Sequence, residues 1–250
     1  MQRTPGPLLF YGTSGKGRAT ERLTRFAIER GFRAIDSALH FRYAEDAVGA
    51  AIAGAIRDGV VRREELFLQT KFTYDVGLTV AQSFATSLER LRVDAIDSYV
   101  LHSLSHTSKD LDVWREMESL PVRFLGVSNV AVGQLEALCT IARVQPTFVQ
   151  NRCLAATRWD AEVRAFCLAH GVMYQGFSLI SANPRALESA AVRRIAGRVG
   201  RTPAQVVLRF ARQVGIVPLV GTTKRKHMRE ALAIDGFELT EDDVARIENA

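Results

Sequence analysis

Short apolar runs alternate along the whole chain with stretches whose hydrophobic residues recur every three or four positions. The runs fall at Leu8–Tyr11, Arg33–Asp36, Leu66–Lys71, Ile96–His102, Phe124–Val127, Phe148–Gln150, Met173–Phe177 and Ile216–Val220. Apolar runs this short, bounded by turn residues, predict buried strands. The stretches between them have helical spacing, as in Val48, Ile52 and Ile56 or Phe84, Leu88 and Leu91, which puts one apolar stripe on each helix. Two helix starts follow from capping chemistry. Thr79 with Gln82, and Thr202 followed by Pro203 and Gln205, each place a hydroxyl at the N-cap and an amide three residues on.

Eight strand–helix units in 250 residues predict a closed (β/α)8 TIM barrel, an α/β fold, filling residues 1–250 as a single domain with short rim loops. An open doubly wound sheet would show the same alternation but requires a glycine-rich phosphate turn after its first strand. Gly12, Gly15 and Gly17 in YGTSGKGRAT do not keep the GxGxxG spacing and read as a tight turn. The chain has no repeat beyond the alternation itself, no low-complexity segment and no linker. Its longest aperiodic stretch, Thr73–Leu78, reads as a rim loop.

A barrel of this kind carries its chemistry at the C-terminal ends of its strands. Asp36, Lys71 and His102 stand at three successive strand ends, in FRAID, LFLQTK and SYVLH. Lys71 is one of only five lysines among 33 cationic residues. Where arginine is the habitual cation, a lysine beside a core strand points to a compact, titratable ammonium, since arginine cannot release its proton. The bland alternative is a lysine whose stem lies along the strand while its head reaches water. Three ionisable groups on one rim favour an active site.

Composition narrows the class. A hydrophobic content of 47% with mean hydropathy near zero suits a large soluble core. No apolar run reaches the ~18 residues of a membrane span, and MQRTPGPLLF lacks the apolar block of a secretion signal. A cytoplasmic protein without a membrane partner is expected. Cys139, Cys153 and Cys167 are odd in number and lack a CxxC pair, so they read as small buried hydrophobes rather than a disulfide or zinc set. His40, His106 and His170 have no ligand spacing and imply no metal. His170, just before Gly171, reads as a helix terminator. The net charge of +6 and pI near 9.5 raise nucleic acid as a partner, but the arginines are scattered among acids, which argues against it. The one dense cluster is Lys224, Arg225 and Lys226 with His227 and Arg229. It suits the phosphates of a small anionic cofactor, or else is a solvated helix start.

Taken in order, IDSA at Asp36, LQTK at Lys71, IDSYVLH at His102, LGVSN with Ser128 and Asn129, VQN with Gln150, YQGFS with Phe177 and Ser178, TPAQVVLRFA, VGTTKRKHM and FELTEDD resemble the aldo-keto reductase superfamily over nearly the whole chain. Its members are barrel enzymes that move a hydride between NADPH and a carbonyl. The resemblance implies reduction of a small-molecule aldehyde or ketone. A tyrosine would supply the proton, Lys71 would favour its phenolate, Asp36 would hold the ammonium, and His102 would orient and polarise the carbonyl. A phenol with a free pKa of about 10 is a poor acid at neutral pH without such a cation.

The family pattern Asp-x-Ala-x-x-Tyr places Phe41 where that tyrosine belongs, and phenylalanine donates no proton. Counting back from the next helix, Tyr43-Ala44-Glu45-Asp46-Ala47-Val48-Gly49 resembles the family's tyrosine followed by Glu and Val-Gly. Tyr43 is therefore assigned as the acid, in a loop lengthened by two residues. The alternative is that Tyr43 is a surface aromatic in a protein without redox chemistry.

The resemblance further implies that Ser128, Asn129 and Gln150 hold the nicotinamide carboxamide and that Phe177 stacks on the ring. Read without it, Ser128-Asn129 is a helix cap before Val130 and Gln150-Asn151 a turn. Gly12, Thr13, Ser178, Leu179, His227 and Glu230 are further implied cofactor contacts. Gly221, Thr222 and Thr223 resemble the segment that binds the adenosine 2′-phosphate, but Gly221 and His227 stand where the family often has Lys and Arg. Lys224, Arg225 and Lys226 are the candidates to replace that charge, and NADPH is expected over NADH. Brief segments at His102–Trp114 and Glu118–Val122 predict an open site, or one that a protein partner completes. The competing functions are a nicotinamide-binding sensor or subunit with vestigial catalysis, and a barrel using Lys71 and Tyr43 for proton abstraction without redox change.

Overall fold

The computed structural model describes residues 9–104 and 109–249. Within them eight parallel strands close into a barrel in chain order: β1 (Phe10–Gly12), β2 (Ala34–Asp36), β3 (Phe67–Phe72), β4 (Ser98–Leu101), β5 (Phe124–Ser128), β6 (Phe148–Arg152), β7 (Met173–Phe177) and β8 (Ile216–Val220). The ring is completed where Phe10 and Tyr11 pair with Leu219 and Val220. β7 and β8 have the bounds that their apolar runs predict. β1 lies later than expected, with Leu8 outside the described residues, and β4 stops one residue short of His102. β6 runs on to Arg152 because that residue pairs with Phe177 of β7, a partnership that local hydrophobicity does not encode.

Helices lie outside this ring and cover the outward face of each strand. Both predicted capping boxes form. Thr79 and Thr202 accept the backbone N–H of Gln82 and Gln205 at 3.2 Å, and each glutamine side chain accepts the cap's own N–H in return. Thr240 and Asp243 make a third box of the same kind. The helix Glu45–Arg57 crosses the helix Val80–Leu91 so closely that a Cβ at Gly49 would lie 2.0 Å from the carbonyl oxygen of Arg90. Only glycine permits that approach, and it fixes the helix that follows the Tyr43 loop.

The barrel interior is layered. Phe10, Ala34, Phe67, Phe124, Phe148, Met173, Val217 and Leu219 pack into an apolar plug. Successive side chains of a strand point to opposite faces, so the residues two positions beyond the plug on β2, β3, β6 and β7 also face inward. These are Asp36, Gln69, Gln150 and Gln175, all buried and bonded to one another. Above them, on the same inward register, stand Lys71, Arg152 and Phe177. Polarity thus rises from bottom to rim in steps of two residues.

Candidate active site

Lys71 is fully buried on β3, and its ammonium donates to Asp36 Oδ1 at 2.6 Å and to the carbonyl oxygen of Ser37 at 2.7 Å. Asp36 Oδ1 also accepts from Gln69 Nε2 at 2.8 Å and from Gln150 Nε2 at 3.0 Å. The ammonium lies over the ring of Tyr43, 5.4 Å from its centroid. The His102 ring meets the same phenol edge-on at 6.2 Å. Asp36, Lys71 and His102 are therefore brought together at one rim, as the strand ends suggested, and Tyr43 joins them from the loop after β2.

The Tyr43 loop is held by its own polar contacts. Tyr43 N–H donates to the His40 carbonyl at 2.9 Å, Arg42 N–H donates to His40 Nδ1 at 3.2 Å, and Gly15 N–H donates to the Arg42 carbonyl at 2.8 Å. Phe41, at the position the simple motif selects, is 89% exposed, whereas Tyr43 lines the central cavity. Its neighbour Glu45 anchors the end of the loop. That carboxyl is buried under the hydroxyls of Thr70 and Ser87, and its pKa is raised, chiefly by burial.

His102 places Nδ1 3.2 Å from Thr73 Oγ1, which leaves Nε2 as the ring nitrogen for a ligand. Burial, then the charges of Lys71 and His40, push its pKa down to about 3. The ring is neutral at physiological pH and can offer an uncharged N–H.

The cavity at the barrel mouth encloses about 620 Å³. Of the residues implied as cofactor contacts, Gly12, Ser128, Asn129, Gln150, Phe177, Ser178, Leu179, Gly221, Thr222, His227 and Glu230 line it. Thr13, Thr223 and Lys224 do not. Thr13 is fully buried, and both its N–H and its hydroxyl donate to the Asp36 carbonyl, so it supports the strand that carries the carboxylate. Thr223 and Lys224 are exposed beyond the wall. Arg225 stacks over Phe26 at 4.4 Å and Lys226 turns to Glu230 at 3.8 Å. Asn129 and Ser178 adopt left-handed backbone at φ 55° and 60°. The helix after Asn129 starts only at Val132, which rules out the cap reading.

Sequence reasoning missed Arg42 and Arg152 on the wall, and Gln69 and Gln175 beneath it. Period-two alternation finds three of them: Gln69 stands two before Lys71, Gln175 two before Phe177, and Arg152 two after Gln150. Lys16 was also missed. It is buried with no carboxylate partner among the described residues, donates to the Gly221 carbonyl at 2.9 Å, and burial lowers its pKa to about 8. Cys153 and Cys167 are buried as expected, but Cys139 is only half-buried. His170 caps its helix, with Nδ1 2.8 Å from the Phe166 carbonyl. His106 lies outside the described residues. No helix among the described residues is long and apolar enough to cross a membrane.

A closed parallel barrel with ionisable groups gathered where its strands end belongs to the barrel enzymes. Residues 11–250 match the model of the Aldo/keto reductase family, and the chain belongs to that family of NAD(P)H-dependent oxidoreductases, which reduce carbonyls. It is 32% identical to glyoxal reductase of Bacillus subtilis, over 92% of this chain and 82% of that protein. It is 30% identical to prostaglandin F synthase 1 of Bos taurus, over 97% and 87%. An aldo-keto reductase of Bombyx mori solved in complex with NADP superposes with a TM-score of 0.87 at 27% identity, covering 97% of this chain and 88% of that one.

The depressed pKa of His102 has a measurable consequence. A ring that takes its proton near pH 6.5 when unfolded, but only near 3 when folded, favours the folded state above 6.5. That contribution is lost as pH falls from 6.5 through 3. Imidazole NMR signals of His102 should show no titration between about pH 5 and 8; a midpoint near 6.5 would contradict the buried neutral ring.

Proposed function

We propose that this protein reduces an aldehyde or ketone to the alcohol with NADPH, and that Tyr43 delivers the proton to the carbonyl oxygen. The observation behind this reading is the Lys71 ammonium, buried, held by Asp36 and facing the Tyr43 ring across 5.4 Å. The dinucleotide, when bound, supplies the hydride. Tyr43 donates its hydroxyl proton as charge builds on the carbonyl oxygen, and Lys71 stabilises the phenolate left behind. Asp36 fixes the ammonium, and the neutral His102 offers Nε2 to the carbonyl oxygen to orient and polarise it. The low-dielectric rim strengthens each of these interactions, because Lys71 and Asp36 see almost no solvent.

The residues present fit a nicotinamide dinucleotide. Asn129 Oδ1 and Gln150 Oε1 accept no hydrogen bond among the described residues, while Asn129 Nδ2 and Gln150 Nε2 are already bonded to protein. Two free carbonyl oxygens on one wall of the cavity suit a carboxamide NH2. The Phe177 ring lines the same cavity and offers a face to the pyridine.

For the phosphorylated end, Lys224, unlike Arg225 and Lys226, has no side-chain partner among the described residues. Its backbone N–H bonds Thr222 Oγ1 at 3.1 Å, and Thr222 lines the cavity. This supports Lys224 as the partner of a 2′-phosphate and a preference for NADPH. Titration should give NADPH at least about tenfold tighter binding than NADH, about 1.4 kcal/mol; equal or tighter binding of NADH would contradict it.

Replacing Tyr43→Phe should lower kcat for NADPH-dependent reduction of a reactive aromatic aldehyde by about 10²–10⁴-fold. Phe41→Ala, on a ring that faces solvent, should leave kcat near that of the parent. A Tyr43→Phe enzyme with full activity would show that another group donates the proton.

A further inference from the structure

Gln69, Gln150 and Gln175 come from three strands and meet beneath the cavity floor, with Gln175 fully buried and absent from the cavity wall. Chemistry dictates how their amides point. The Asp36 carboxylate only accepts hydrogen bonds, so the atoms that Gln69 and Gln150 turn toward it, at 2.8 and 3.0 Å, are amide nitrogens. The same two nitrogens reach Gln175 Oε1 at 2.9 and 2.8 Å, and Gln175 Nε2 returns a bond to Gln69 Oε1 at 3.0 Å. Both amide hydrogens of Gln150 are thereby committed below the floor. The atom left for the cavity is its carbonyl oxygen. Asn129 reaches the same polarity by another route, since its Nδ2 donates to the His102 carbonyl at 2.8 Å and to Ser128 Oγ at 3.1 Å.

We infer that Gln69 and Gln175 are positioning residues that lock the Gln150 amide with its oxygen outward, so that this wall selects a pyridine cofactor bearing an NH2 over one that lacks it. The inference rests on reading this cavity as the nicotinamide site. Neither Gln69 nor Gln175 needs to touch the cofactor. Gln175 bonds neither Asp36 nor any ligand position, so any effect it has on cofactor choice passes through Gln150, directly or by way of Gln69 and Asp36.

The test compares NADP+ with its 3-acetylpyridine analogue, in which a methyl group replaces the carboxamide NH2. Dissociation constants for both are measured by calorimetry on the parent protein and on Gln175→Met, Gln69→Met and Gln150→Met. Methionine keeps the side-chain length and removes the amide, and a ratio of two affinities is insensitive to any loss of folded protein. The parent should prefer NADP+ by at least about tenfold, because a site built to bond a hydrogen-bond donor rejects the analogue without it. Gln150→Met should abolish the preference, Gln175→Met should cut it by about fivefold, the worth of one hydrogen bond, and Gln69→Met, which reaches Gln150 only through Asp36 and Gln175, should cut it by less. A Gln175→Met protein with the parental ratio, or a parent that binds both dinucleotides equally, overturns the lock while leaving the nicotinamide site standing. A parent that binds neither overturns the site reading and the lock with it.

Discussion

The ion pair between Lys71 and Asp36 is the constraint from which the rest of the mouth follows. An ammonium with no solvent exposure is tolerable only when paired and further hydrogen-bonded, because taking a charge out of water costs several kcal/mol. Asp36 supplies the pair, the Ser37 carbonyl a second acceptor, and Gln69 and Gln150 solvate the carboxylate in place of water. Removing either member would strand a buried charge, at a cost of about 3–5 kcal/mol. The polar middle layer of the barrel exists because that charge must be accommodated there.

From this pair the site is built outward in three directions. Toward β4, the charge of Lys71 joins burial in keeping His102 neutral, which suits it to donate to a carbonyl rather than to pair with an anion. Toward the loop after β2, the ammonium faces Tyr43, whose backbone is pinned by His40 and whose following helix is pinned by Gly49 and Glu45. Toward β6 and β7, the amide chain carries the polarity of Asp36 to the cavity wall at Gln150. One buried charge thus sets a cation, a neutral imidazole and an acceptor wall around a single cavity.

Much of this was legible in the sequence, for a physical reason. Strand–helix alternation over eight apolar runs, with no GxGxxG turn after the first, favours a barrel over an open sheet, and a barrel assembles residues from successive strand ends however far apart they lie in the chain. That is why Asp36, Lys71 and His102 could be grouped before any coordinates. The loop after β2 was harder, since its register depends on hydrogen bonds at His40 and Gly15 rather than on periodicity. The resemblance of Tyr43–Gly49 to the family's segment, counted back from the next helix, chose Tyr43 over Phe41; Tyr43 lines the cavity and Phe41 faces solvent. The glutamines were overlooked because a polar residue in an apolar run reads as a flaw until its partners on other strands are known. In the basic cluster, adjacency in the chain does not fix which cation faces the cavity, because successive residues of a helix start point in different directions, and Arg225 and Lys226 find other partners.

The central claim is that the buried charge of Lys71 lets Tyr43 act as an acid. The most direct measurement is kcat for aldehyde reduction by Lys71→Met, with NADPH affinity measured on the same preparation to report an intact mouth. The account predicts a fall in kcat of about 10²–10⁴-fold with the dinucleotide still bound. Retention of kcat within a few-fold of the parent would contradict it.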